Sequence, residues 1–148
     1  MIKVSTKGRY GLRLMLNLAS HYDSAQKAVI LKNVAKEEDI SIRYLEQIII
    51  PLKIKKLVKS IRGAGGGYTL ARKPGEINLC EILEALEGTC ALVDCVEDAD
   101  FCDRIPTCAA YEVWKEASKT LKNYFERTTL QHVLDQAAKK LEKPKAKR

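Results

Sequence analysis

Four cysteines, Cys90, Cys95, Cys102 and Cys108, follow one another as C-x4-C-x6-C-x5-C in a stretch with no helical or strand period. Thiols clustered this tightly in a reducing compartment point to a metal or redox site over structural disulfides. Four thiolates suit either a zinc ion or an iron–sulfur cluster. Zinc sites usually carry a C-x2-C knuckle, and none occurs here, which favours the cluster. The segment 81–112 holds nine carboxylates opposed only by Arg104. The fifth cysteine, Cys80, falls beside the apolar face of a helix and is expected to be a small core residue. Cys90 also admits a plainer reading, as a loop thiol without a role.

A second stretch with chemical potential is "RGAGGGYTL", residues 62–70. Glycine loses more conformational freedom on folding than any other residue, so a cluster of it needs a reason. A Walker loop requires Lys-Ser/Thr and a helix after its glycines. Here Tyr-Thr-Leu and a strand follow, and the dinucleotide fingerprint fails on the same ground. Both flanks alternate like paired strands, which disfavours a flexible linker and leaves a hairpin tip with its turn at 63–67. At such a tip the glycines allow close backbone approach to a bulky partner, and Arg62 opens the loop.

The elements around these residues are mainly helical. Ser5 or Thr6 caps a first helix with Tyr10, Leu14 and Leu18 on its apolar face. A short helix around Leu31, Val34 and Ala35 ends near Asp39. Ser41 then caps a third helix whose apolar positions, Leu45, Ile48, Ile49 and Leu52, follow the i, i+3, i+4, i+7 pattern. Pro51 sits late in that pattern and is expected to kink or end the regular ladder nearby. Two short helices around the turn "EEDIS", followed by "KLVKSIR" and "YTLA" as a hairpin, make a winged helix-turn-helix. Asn78 and Glu81 form a capping box for a further helix that stops at Gly88. Trp114, Ala117, Leu121, Tyr124 and Phe125 stripe a strong helix from Ala110 to about Phe125. A last short helix follows Thr128 or Thr129.

Net charge is +7, and its distribution is uneven. Residues 1–75 carry 15 Lys and Arg against 5 Asp and Glu, whereas residues 76–148 carry 11 against 14. A basic half joined to a mildly acidic half suggests an anion-binding module attached to a second function, against the plain reading of a solvated basic face. Duplex DNA fits. The third helix would present Arg43, Tyr44 and Glu46 to the major groove, with Arg62 at the adjacent minor groove. Lys53, Lys55, Lys56 and Lys59 would neutralise phosphates. Half-buried packing is the competing role for Tyr44 and Tyr68. No apolar run reaches the roughly 18 residues that span a bilayer, and the N-terminus has no small-residue cleavage site, so a cytoplasmic location is expected. No catalytic Ser/His/Asp set or carboxylate pair is present, which argues against an enzyme.

The segments "STKGRYGL", "SIRYLEQ", "LVKSIRGAGGGYTL" and "EILEALEG" together resemble the Rrf-two family of bacterial transcription regulators, with its IscR-, NsrR- and CymR-like branches. The likeness runs from residue 2 to about residue 88 and resumes at the Trp114 helix. It implies a winged-helix homodimer with a long C-terminal dimerisation helix, palindromic operators, and in several members an iron–sulfur cluster, expected as 2Fe-2S. It also implies DNA contacts for Tyr44, Glu46 and Arg62. Arg43 departs from the IscR-type pattern, which has serine there. Aligned on Trp114, Cys95, Cys102 and Cys108 fall on the three cysteine positions of IscR-type loops, although the first gap is one residue longer. Tyr111 stands at the histidine position. NsrR-type members take a carboxylate from the partner's first helix, but "KGRYG" offers none. Cys90 is the leading fourth ligand, with Tyr111 and Glu112 behind it.

The expected architecture is therefore a winged helix-turn-helix domain over 1–77, a sensor loop with dimerisation helices over 78–138, and a disordered basic tail over 139–148. The expected function is a dimeric regulator sensing cluster or redox status. Two alternatives stand beside it. One is a CymR-like regulator of cysteine metabolism working through thiols or a partner protein. The other is a metal-binding accessory protein that does not bind DNA.

Overall fold

A computed structural model of the chain describes residues 3–22 and 27–142. Helix α1 (Thr6–Ser20) starts where Ser5 Oγ accepts a hydrogen bond from the Gly8 N–H at 3.1 Å. Helices α2 (Leu31–Glu38) and α3 (Ile42–Ile54) are joined at Asp39, whose φ of 52° turns the chain, and by the buried Ile40. Ser41 caps α3 by accepting from the Tyr44 N–H at 3.1 Å, as its residue type predicts.

Pro51 lies inside α3, which ends three residues beyond it at Ile54. Proline removes a single backbone donor. Its neighbours Ile48 and Leu52 are fully buried, and their packing holds the helical path through the missing rung.

Lys56, at φ 56°, turns the chain from α3 into a hairpin of β1 (Val58–Ile61) and β2 (Gly67–Leu70). The strands pair antiparallel from Val58 opposite Leu70 to Ile61 opposite Gly67, a little shorter than the sequence pattern suggests. Val29 adds an isolated antiparallel bridge to Tyr68 on the outer side of β2. After a 3-10 turn at Pro74–Glu76, the Asn78–Glu81 capping box opens α4 (Leu79–Glu87), with its two side-chain bonds at 3.0 and 3.1 Å.

The cysteine segment is less irregular than its sequence suggests. It contains a single helical turn, α5 (Asp94–Glu97), and a 3-10 turn at Ile105–Thr107. Helix α6 (Ala109–Arg127) and helix α7 (Leu130–Glu142) follow. Thr129 caps α7, accepting from the His132 N–H at 3.2 Å. Helix α7 takes in the first four residues of the stretch 139–148 expected as a disordered tail; residues 143–148 lie outside the described residues.

The core crosses the boundary read between residues 77 and 78. Leu14, Met15 and Leu18 of α1 and Leu45, Ile48 and Leu52 of α3 pack in one cluster with Ile82 and Leu86 of α4 and Leu130 of α7. Helix α7 is tied in by two backbone bonds, Leu79 N–H to Thr128 O at 2.9 Å and Leu130 N–H to Ile77 O at 3.0 Å. The cysteine segment and α6 emerge from this body.

Candidate nucleic-acid interface and cysteine loop

Helix α3 buries one face and offers the other. Leu45, Ile48, Ile49 and Leu52 face the core, while Arg43, Glu46 and Gln47 are exposed. Gln47 carries no motif signal of its own in the sequence. It lies one turn beyond Arg43, and residues four apart share a helix face. An amide and a guanidinium side by side are the two groups that make bidentate contacts to adenine and guanine edges. Tyr44 is half-buried, its ring edge-on to Tyr10 of α1 at 5.8 Å between centroids. Packing thus occupies its ring while the helix start keeps the residue near the exposed face.

The wing tip presents Arg62 to solvent. Gly65 takes φ 73° with open space where a Cβ would project, so the turn there is a backbone requirement. Gly67 has a different reason. A Cβ on it would lie 2.5 Å from the Val29 carbonyl oxygen, because the Val29–Tyr68 bridge draws the two backbones together. The cluster therefore serves both clearance at the tip and attachment of the wing at its base.

Lys53, Lys55 and Lys56 are exposed and Lys59 is half-buried on β1. The Lys53 ammonium lies over the Tyr68 ring at 5.8 Å from its centroid. Arg13 joins α1 to α2 through an ion pair with Glu38 at 3.1 Å, which holds the first helix against the helix-turn-helix.

Cys95, Cys102 and Cys108 are each half-buried in the segment between α4 and α6, and Cys108 occupies the N-cap of α6. Their sulfurs are not gathered. Among the described residues, the group of ligating side chains whose donor atoms all lie within 4.8 Å of one another is Cys80, Glu84 and Cys90. Cys90 thus stands 3.9 Å from Cys80, sulfur to sulfur, on α4. Burial pushes the Cys80 thiol up to about 12, helped by Cys90 and Glu84 nearby. Burial also raises Cys90. Lys122 of α6 is raised by its hydrogen bond to Glu84, with the two groups 3.3 Å apart.

The start of the loop is fastened to α6 by the Leu92 N–H, which donates to the buried Ser118 Oγ at 3.0 Å. Beyond Ser118, α6 buries little within the chain. Of the apolar stripe expected on α6, Ala117, Leu121 and Phe125 are half-buried, while Trp114 and Tyr124 are 42% and 50% exposed, with the neighbouring Val113 at 61%.

A buried-face recognition helix, a two-stranded wing with an exposed arginine at its tip and a flanking lysine row define a winged-helix DNA-binding protein. The chain belongs to the Rrf2 (Rrf-two) family, described as iron-dependent transcriptional regulators, which matches residues 4–136. It is 38% identical over 130 residues to the transcriptional regulator CymR of Bacillus subtilis, covering 88% of each chain. The solved structure of T. potens IscR is similar with a TM-score of 0.76 at 34% identity, covering 98% of this chain and 94% of that one. The structure of B. subtilis CymR, the global cysteine regulator, gives 0.74 at 38% identity over 90% and 96%. The protein is accordingly a DNA-binding transcription regulator, and its relatives are regulators, not enzymes. Among the described residues, no helix is long and apolar enough to cross a membrane.

Proposed function

We propose that the protein is a homodimeric regulator that binds a two-fold symmetric operator and adjusts that binding to iron–sulfur or redox status through its cysteine loop. Arg43, Tyr44 and Glu46 at the start of α3 face the major groove, and Arg62 enters the neighbouring minor groove. Lys53 and Lys59 hold phosphates. The apolar stripe of α6 joins two subunits, setting the half-sites about one DNA turn apart.

The carrying observation is the position of the cysteines. The loop leaves α4, which shares its core with α1 and α3, and enters α6, which leaves Trp114 and Tyr124 exposed. A change in the loop therefore bears on the helix that spaces the two wings. The donor set fits a cluster. Cys95, Cys102 and Cys108 are three free, half-buried thiols in one segment, the donor type that iron–sulfur clusters take. Tyr111 and Glu112 in the first turn of α6 supply further oxygen donors. When bound, a cluster supplies one-electron redox chemistry and a charge that changes with cluster state. The chain's own part is to present thiolates and to pass loop order to α6 through the Leu92–Ser118 bond.

Anaerobic purification followed by a visible spectrum and iron and sulfide analysis tests this reading. Iron and acid-labile sulfide, lost when Cys95, Cys102 and Cys108 are replaced by alanine, support it. Colourless protein with zinc at these cysteines, or with reversible disulfides and no iron, contradicts it.

A further inference from the structure

Cys80, Glu84 and Cys90 form a donor group apart from the three loop thiols. Cys80 and Glu84 stand one turn apart on the same face of α4. The chain turns at Gly88, φ 92°, and returns Cys90 to that face. The two sulfurs are 3.9 Å apart, and a Glu84 carboxylate oxygen lies with both inside 4.8 Å.

This spacing is that of metal ligands. Zinc binds sulfur at about 2.3 Å with tetrahedral geometry, which sets two ligand sulfurs about 3.7 Å apart. A cysteine pair serving only for packing needs no third donor, yet a carboxylate converges here. Charge is accommodated too. Two thiolates and a carboxylate around a divalent ion leave one negative charge, and Lys122 lies 3.3 Å from Glu84 to offset it. Access comes from a cavity of about 390 Å³ lined by Glu84, Cys90, Ser118 and Lys122, among others.

We propose that Cys80, Glu84 and Cys90 are three protein ligands of an exchangeable zinc site, with water from the adjoining cavity in the fourth position. On binding, the zinc–sulfur bonds replace the two S–H bonds and both protons pass to solvent. Cys90 then belongs to this site and not to the ligand set of the loop. Metal bound here pins the beginning of the sensor loop to α4, in the body that carries the recognition helix. The inference is independent of whether Cys95, Cys102 and Cys108 hold a cluster.

The test uses the full chain with Cys95, Cys102 and Cys108 replaced by alanine, kept reduced and titrated with zinc and with cobalt as a coloured probe. One zinc per chain is expected. Cobalt should give thiolate charge-transfer absorption together with the visible bands of a tetrahedral ion. Adding Cys90→Ser at the half-buried position, or Cys80→Ala, should weaken zinc binding by roughly 100-fold, at or beyond what outer-shell partners carry. Glu84→Gln should weaken it by roughly tenfold on the same scale. Circular dichroism confirms that each variant is folded. A folded, reduced triple variant that takes up no zinc overturns the proposal, as does unchanged affinity in folded Cys90→Ser. A Cys80–Cys90 disulfide in air, with no zinc uptake after reduction, also overturns it and leaves an oxidisable thiol pair.

Discussion

Val29 and Tyr68 exchange both of their backbone hydrogen bonds, Val29 N–H to Tyr68 O at 2.7 Å and Tyr68 N–H to Val29 O at 2.8 Å. This one bridge fastens the outer edge of the wing to the segment that leads into α2. The orientation of Arg62 relative to α3 thus depends on a contact at the base of the hairpin as well as on the tip itself.

Gly67→Ala should therefore be costly. The new Cβ would meet the Val29 carbonyl oxygen at 2.5 Å, at a backbone φ of 150°. Strained conformations of this kind cost about 1–3 kcal/mol. Gly65→Ala, at φ 73° with open space around it, should cost only about 1 kcal/mol. Urea unfolding of the two variants checks the order, and a Gly67→Ala protein as stable as the parent would refute the role of the bridge.

Arg62 and the lysines should differ in how they affect DNA binding. Each phosphate contact removed lowers the slope of log K against log salt by about 0.9. Lys59→Ala should show that change with little effect on sequence preference. Arg62→Ala should weaken binding most on operators with a narrow A·T-rich minor groove beside the half-site. Titrations at several salt concentrations on matched duplexes separate the two behaviours.

Arg43 is exposed at the first turn of α3, whereas the Tyr44 ring packs on Tyr10. Arg43→Ala should relax preference at one base pair by about 1–3 kcal/mol, and Gln47→Ala should do so at a neighbouring pair. Tyr44→Ala should lower stability as well as affinity, because it removes a ring that braces α1 against α3. Selection from randomised duplexes, paired with thermal melts, reads both effects.

The exposed Trp114 and Tyr124 of α6 give a prediction about assembly. Interface aromatics often carry 2 kcal/mol or more of binding energy, about 30-fold in dissociation constant. Trp114→Glu or Tyr124→Glu should shift the protein towards monomer in analytical ultracentrifugation while leaving the helical signal of a single chain intact. An undiminished dimer would place the subunit interface elsewhere.

Much of this was legible in the sequence because its signals are local. Ser41 and the Asn78–Glu81 box act within one helical turn, and the glycines of the wing act within their own hairpin. Pro51 sits inside α3 and the helix ends three residues beyond it, while the burial of Ile48 and Leu52, a tertiary effect, sets where that end falls. The Val29–Tyr68 bridge escapes notice because a single paired residue carries no strand periodicity. Cys90 reads as the first member of a four-cysteine run, yet the turn at Gly88 sends it to Cys80, a helix residue whose spacing suggests core. Glu84 follows Cys80 by one turn of α4, but Lys122 joins that group only because α6 packs along α4. Gln47 was within reach, since it follows Arg43 by one turn.

The central claim, that the cysteine loop governs DNA binding, is tested most directly by operator affinity under anaerobic conditions. An operator half-site pair is first selected from random duplex with the cluster-loaded protein, and affinity is then compared with a folded, dimeric Cys95→Ala, Cys102→Ala, Cys108→Ala variant. The account predicts a change of about tenfold or more, corresponding to a coupling of about 1.4 kcal/mol, within the usual range for linked sites. Equal affinities for the two proteins would contradict it.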